Sequence, residues 1–151
     1  MLSNKAKYGI RALIYLAGHS GKPALIKDIA RQAYLPKKFL EAILLELKVA
    51  GVLQSKPGKG GGYSLHRPAD SIMLGQIIRI IDGPLAQIPC ASQTAFAPCK
   101  DCADVSKCVI RLVMKQVRDA TAQILDQTTL EDLVKEQDRL KELSHALDFN
   151  I

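Results

Sequence analysis

Between Asn4 and His19 the apolar residues Tyr8, Leu13, Ile14, Leu16 and Ala17 recur at helical spacing, and Gly18 with Ser20 and Gly21 closes the run. That pattern predicts an amphipathic helix. A shorter one is predicted over Ile26 to Ala33, with Ile26, Ile29, Ala30 and Ala33 on one face. Tyr34 and Leu35 then lead to Pro36, which suits the first turn of a new helix because it has no amide hydrogen to leave unpaired. The third helix runs to about Ala50 and buries Leu40, Ile43, Leu44 and Leu47. Gly51 supplies the left-handed residue that ends it.

Two helices joined by a three-residue turn fit a helix-turn-helix or an ordinary helical hairpin. The next segment favours the first. Val52–Ser55 and Tyr63–Leu65 read as short paired strands, with the glycine-rich, basic tip Lys56–Gly62 between them. A helix-turn-helix followed by such a hairpin is a winged helix. Lys37 and Lys38 lie in the first turn of the third helix, the end that enters a major groove. Lys56 and Lys59 ride a hairpin whose glycines let backbone approach phosphates or a narrow minor groove.

Beyond the wing, Leu74 to Ile81 predicts another short helix, ending at Asp82-Gly83-Pro84. Residues 85–104 lack periodicity and read as a loop, long enough to need a function or a bound object. From Val105 to Leu125 the pattern is strongly helical again. Val105, Val109, Val113, Val117, Ala120 and Ile124 form one apolar seam, with Lys107, Lys115, Arg118 and Asp119 on the other side. A long helix with a single seam in so small a chain is expected to pack on a copy of itself. Thr128-Thr129-Leu130-Glu131 reads as a capping box opening a last helix to about Leu140. The expected fold class is therefore mainly α. A winged helix-turn-helix DNA-binding domain spans 1–84 and a cysteine-bearing loop 85–104. The long dimerisation helix and a short C-terminal helix occupy 105–140, and 141–151 is a tail.

Charge sharpens the reading. The chain carries 21 basic and 15 acidic side chains, but 12 of the basic and only 4 of the acidic fall at or before Asp70. The basic surplus belongs to the half that holds the winged helix, as expected if that half meets a polyanion. The first apolar stretch, Ile10 to Ala17, is interrupted by Arg11 and is too short to export or anchor the chain. A cytoplasmic location without a membrane partner follows, and there structural disulfides are rare. His19, His66 and His145 are scattered, and the wing glycines lead into a strand rather than a helix, so neither a catalytic constellation nor a phosphate-binding loop is present. An enzyme is not expected.

The four cysteines are Cys90, Cys99, Cys102 and Cys108. Cys99-x-x-Cys102 provides one zinc half-site, whereas Cys90 and Cys108 lack the matching knuckle. An iron–sulfur cluster tolerates irregular spacing better, and a reversible thiol switch is the third option.

Several segments carry a resemblance. Lys7-Tyr8-Gly9-Ile10-Arg11-Ala12-Leu13, Leu40-Glu41, Gly60-Gly61-Gly62-Tyr63-Ser64-Leu65, Ile80-Ile81-Asp82-Gly83-Pro84-Leu85 and Thr129-Leu130-Glu131-Asp132-Leu133-Val134 fall in the right order over about 140 residues. On these the chain resembles the Rrf2 family of bacterial winged-helix regulators, which includes iron–sulfur, nitric-oxide and cysteine-metabolism regulators. The resemblance implies a homodimer joined through the long helix and bound to double-stranded operator DNA. It implies that Glu41 and its neighbours contact bases while Gly61, Gly62 and Tyr63 of the wing lie along the minor groove. A carboxylate at Glu41 would accept from a cytosine amino group. In cluster-bearing members three loop cysteines hold the iron–sulfur group, the last two separated by five residues; Cys102 and Cys108 match, and Cys90 stands where the first would lie. Where one type has a histidine ligand this chain has Arg111, and where another has an acid near Tyr8 it has Lys7, so Cys99 is the obvious fourth ligand. The function implied is a repressor sensing redox, iron or nitric-oxide status through a 2Fe-2S or 4Fe-4S cluster. The alternative is a cluster-free regulator of the same fold that responds through thiols, zinc or a partner protein.

Overall fold

The computed structural model describes residues 2–19 and 21–148. Helix α1 (Asn4–Gly18) starts at Ser3, whose hydroxyl accepts the Ala6 amide at 2.9 Å, and buries Ala6, Ala12, Leu13 and Leu16. Helices α2 (Ile26–Gln32) and α3 (Lys37–Val49) follow, and α3 buries Leu40, Ile43, Leu44 and Leu47 as its periodicity predicts. The turn between them passes through a left-handed residue at Tyr34, φ 54°. That conformation is uncommon for a bulky side chain and is strained.

Strands β1 (Leu53–Lys56) and β2 (Gly62–Leu65) pair antiparallel in the register Leu53–Leu65 to Lys56–Gly62. Ala24, just before α2, adds a further rung: its N–H donates to the Tyr63 carbonyl and its carbonyl accepts the Tyr63 N–H in return, both at 2.8 Å. Gly62 makes this possible. Its φ is +133°, and any Cβ there would collide with the Ala24 carbonyl. At Gly61 a Cβ would strike the Lys56 carbonyl instead.

Helix α4 (Leu74–Asp82) packs on α1 and α3, and α5 (Val109–Leu125) and α6 (Leu130–Asp148) complete the chain. Helix α1 lies at the centre, against α3, α4 and α6, so the C-terminal helix returns to close the core of the winged helix around the fully buried Leu130. The Arg79 guanidinium on α4 grips the Asp126 carboxylate at the α5–α6 corner through two contacts of 2.5 and 2.9 Å.

Four expectations need correction. The last helix runs to Asp148 rather than Leu140, so most of the expected tail is helical; residues 149–151 lie outside the described residues. Its cap is Thr129 with Asp132, not Thr128 with Glu131: Asp132 N–H donates to the Thr129 hydroxyl at 3.0 Å, and the Asp132 carboxylate accepts the Thr129 N–H at 2.9 Å. The long helix begins at Val109, because Val105–Lys107 is a separate turn and Cys108 is the cap. Arg118 is not on the solvent side but buried, and the seam of Val109, Val113, Val117 and Ile124 is exposed together with Ile110 and Leu112. The polar-looking side of α5 faces inward because it binds backbone there.

Candidate nucleic-acid interface and thiol row

Between α3 and the wing runs a groove of about 790 Å³. It gathers Lys37 and Glu41 from the start of α3, Lys56 from β1, and Gly62 and Tyr63 from β2. Two further lysines line it that sequence reasoning missed, Lys27 in the first turn of α2 and Lys48 near the end of α3. The Lys48 Nζ donates to the Ser55 hydroxyl at 2.6 Å, which ties the far end of α3 to the wing. A signal for Lys48 was present. Lys37, Glu41 and Lys48 stand at i, i+4 and i+11, one stripe of a helix.

The other expected DNA contacts lie elsewhere. Lys38 faces a recess with Lys5, Tyr8, Phe39 and Ala42 on the opposite flank of α3. Lys59 and Gly61 sit on the far side of the wing tip, near Asp28 and Arg31. The wing thus offers cations on two sides: Lys56 toward α3, and Lys59 toward the start of α2.

The cysteine loop is less loose than its sequence suggests. Pro89–Ala91 forms a short turn in which Cys90 and Ala91 are buried. Two arginines of α5, two helical turns apart, hold it by its backbone. Arg111 Nε donates to the Cys90 carbonyl at 2.8 Å, and the Arg118 guanidinium donates to the Ala91 carbonyl. Arg118 also pairs with Asp119, at 2.5 Å.

Cys108 caps α5: its sulfur accepts the Arg111 N–H at 3.4 Å. That contact holds the Cys108 thiol below its ordinary value, as a helix N-terminus does for a thiolate. Neighbouring Cys99, then burial and Cys108, push the Cys102 thiol up to about 11. The structure therefore brings Cys99, Cys102 and Cys108 into a row with Cys102 in the middle, whereas Cys90 occupies a buried turn held by Arg111. Among the described residues no three thiol, imidazole or carboxylate side chains close around a common point. None of the described helices is long and apolar enough to cross a membrane.

Comparison with known proteins agrees with this geometry. A family model described as "Rrf2: Iron-dependent Transcriptional regulator" matches residues 2–136. The chain is 40% identical over 138 residues to an Rrf2-like HTH-type transcriptional regulator of Rhodobacter capsulatus, covering 89% of this chain and 92% of that one. It is 34% identical over 138 residues to the HTH-type transcriptional regulator CymR of Bacillus subtilis, with 91% of each covered. The solved structure of CymR, the global cysteine regulator of B. subtilis, superposes with a TM-score of 0.73 over 90% of this chain and 97% of the other. T. potens IscR, 30% identical, superposes with a TM-score of 0.69 over 91% and 88%.

Proposed function

For this chain, which belongs to the Rrf2 family of transcriptional regulators and is a DNA-binding regulator rather than an enzyme, we propose a homodimeric repressor that senses through its cysteines. Helix α3 enters the major groove with Lys37 and Glu41 leading. Lys27, Lys48 and Lys56 meet phosphates along the groove between α3 and the wing, and Glu41 accepts from a cytosine amino group. Such a carboxylate repels phosphate, so it contributes selectivity rather than affinity. The seam of α5 supports the homodimer, because Val109, Val113, Val117 and Ile124 are exposed among the described residues.

One observation carries the sensing part: the thiol row ends on Cys108, the residue that caps the dimer helix. Three adjacent sulfur donors, with Cys90 on a turn clamped to the same helix, fit an iron–sulfur group by donor chemistry. Cys90, Cys102 and Cys108 would hold it with Cys99 as the fourth ligand, and the loop would need to close for all four to meet. When bound, such a group supplies one-electron and gas-sensing chemistry. The chain's own part is mechanical. Arg111 links Cys108 to the Cys90 turn, α5 leads to Asp126, and Arg79 passes that position to α4 beside the DNA-binding helices.

Opposite shifts at two neighbouring thiols favour a second reading, a cluster-free thiol response. Cys108 is held below its ordinary value beside a Cys102 that is pushed up. Two neighbouring thiols would give up two electrons and two protons to a peroxide, forming a disulfide while the peroxide becomes water. Anaerobic purification separates the readings. A brown protein with visible charge-transfer absorption and stoichiometric iron and sulfide supports the cluster. A colourless protein whose four titratable thiols fall to two after peroxide treatment supports the thiol response.

A further inference from the structure

Helix α3 buries Leu40, Ile43, Leu44 and Leu47, so at 100° per residue the face turned away from the core carries Ala42, Leu45 and Val49, with Lys38 at its leading end; Lys38 and Ala42 also border the recess beside Lys5 and Tyr8. Beyond Lys38 that ridge is wholly apolar. Ala42 is exposed, Leu45 is 54% exposed and Val49 82%. No carboxylate, amide or hydroxyl stands on it. Glu41 is turned toward the groove beside the wing, and Glu46 is held on the other flank by Lys5 at 2.5 Å.

We propose that this ridge reads thymine methyl groups in the major groove, an inference that rests on the DNA-binding reading above. The lysines bordering it, Lys37 and Lys48 toward the wing and Lys38 at the leading end, select a polyanion as the surface that covers the ridge. Major-groove base edges present donors, acceptors and one apolar feature, the thymine C5 methyl. A helix whose outward line lacks hydrogen-bonding groups discriminates bases there only by that methyl. With Glu41 one position away seeking a cytosine amino group, each half-site should combine a cytosine with an adjacent thymine, and Leu45 should meet a second thymine one helical turn deeper.

The test begins with selection of an operator from randomised duplex DNA by the full-length protein. Each thymine is then replaced singly by deoxyuridine, which deletes the methyl and leaves base pairing intact. Loss of about three- to fivefold in affinity at one or two positions per half-site is expected, the worth of one buried methyl. Leu45→Ala, an exposed substitution whose fold is checked by circular dichroism, should abolish the sensitivity at one of them. An operator bound equally well with every thymine replaced, or full methyl discrimination retained in Leu45→Ala and in Ala42→Ser, would overturn the inference while leaving DNA binding intact; the ridge would then belong to a protein partner. Selection that enriches no sequence would overturn the DNA-binding reading and this inference with it.

Discussion

Arg118 and Ala91 are joined across 27 positions of sequence: a buried guanidinium on α5 donates to the carbonyl of a turn in the cysteine loop. The contact satisfies a backbone acceptor that has no strand or helix to belong to. It also turns the Arg118 face of α5 inward and leaves the apolar seam exposed.

Removing that guanidinium strands the carbonyl. Arg118→Ala should cost about 1–3 kcal/mol, the desolvation cost of a buried unpaired acceptor. At roughly 2–4 °C per kcal/mol for a chain of this size, thermal unfolding at fixed protein concentration should shift down by several degrees. An unchanged melting temperature would show that the turn does not depend on Arg118.

The seam prediction is about assembly. Val113→Asp would place an unpaired carboxylate against its own copy in a symmetric interface, so the variant should sediment as a monomer while keeping its helical circular dichroism. A dimer indistinguishable from the parent would move the interface away from α5.

Acid should loosen the corner between α4 and α5. Hydrogen bonding to Arg79 holds the Asp126 carboxyl below its ordinary value. A depressed carboxyl contributes stability that is present above its unfolded value, near pH 4, and is lost as pH falls through the lower folded value. Asp126→Asn should therefore be less stable than the parent at neutral pH, by about 1 kcal/mol or less because the pair is partly exposed, and the gap should close as pH falls below the usual carboxylate range. Chemical denaturation at a series of pH values reads this directly. A constant gap across the series would count against it.

Tyr34 predicts a gain. A left-handed residue with an exposed side chain holds strain that glycine does not, so Tyr34→Gly should raise stability by about 1 kcal/mol. If denaturant midpoints fall instead, the tyrosine ring has a stabilising contact that outweighs its backbone.

Salt dependence tests the interface residue by residue. Each phosphate neutralised adds about 0.9 to the slope of log affinity against log salt. Lys27→Ala, Lys48→Ala and Lys56→Ala should each lower the slope by about that amount. Equal slopes in all three would remove the groove between α3 and the wing from the DNA contact.

Much of the winged helix was legible because its signals are local. Leu40, Ile43, Leu44 and Leu47 repeat at helical spacing, Gly51 ends the helix, and the tip glycines mark the hairpin. What escaped notice depends on tertiary partners. Arg118 has the look of a surface residue in a polar stripe, and only the carbonyl of Ala91, 27 positions away, explains its burial. The extent of α6 is not legible because residues 135–145 are all exposed, Leu140 and Leu143 included, with ion pairs such as Arg139–Glu136 in place of a buried seam. For the cysteines, spacing marked the Cys99-x-x-Cys102 pair and the family resemblance put Cys90, Cys102 and Cys108 first; that Cys108 caps α5 while Cys90 lies in a buried turn depends on tertiary contacts that no spacing carries.

The rung between Ala24 and Tyr63 makes the wing and the chain leading into α2 one piece, and Lys48 to Ser55 ties α3 to the same piece. Within the proposed homodimer, two reading heads tied this way would meet DNA as two jaws set apart by α5 and its copy. Spacing between half-sites then becomes a ruler. One base pair inserted at the operator centre turns one half-site by about 35° relative to the other, and neither wing nor recognition helix can swivel alone to follow it. Such an operator should keep one jaw and lose the second, and only an added full turn of duplex, too long for the pair to span, restores the original facing.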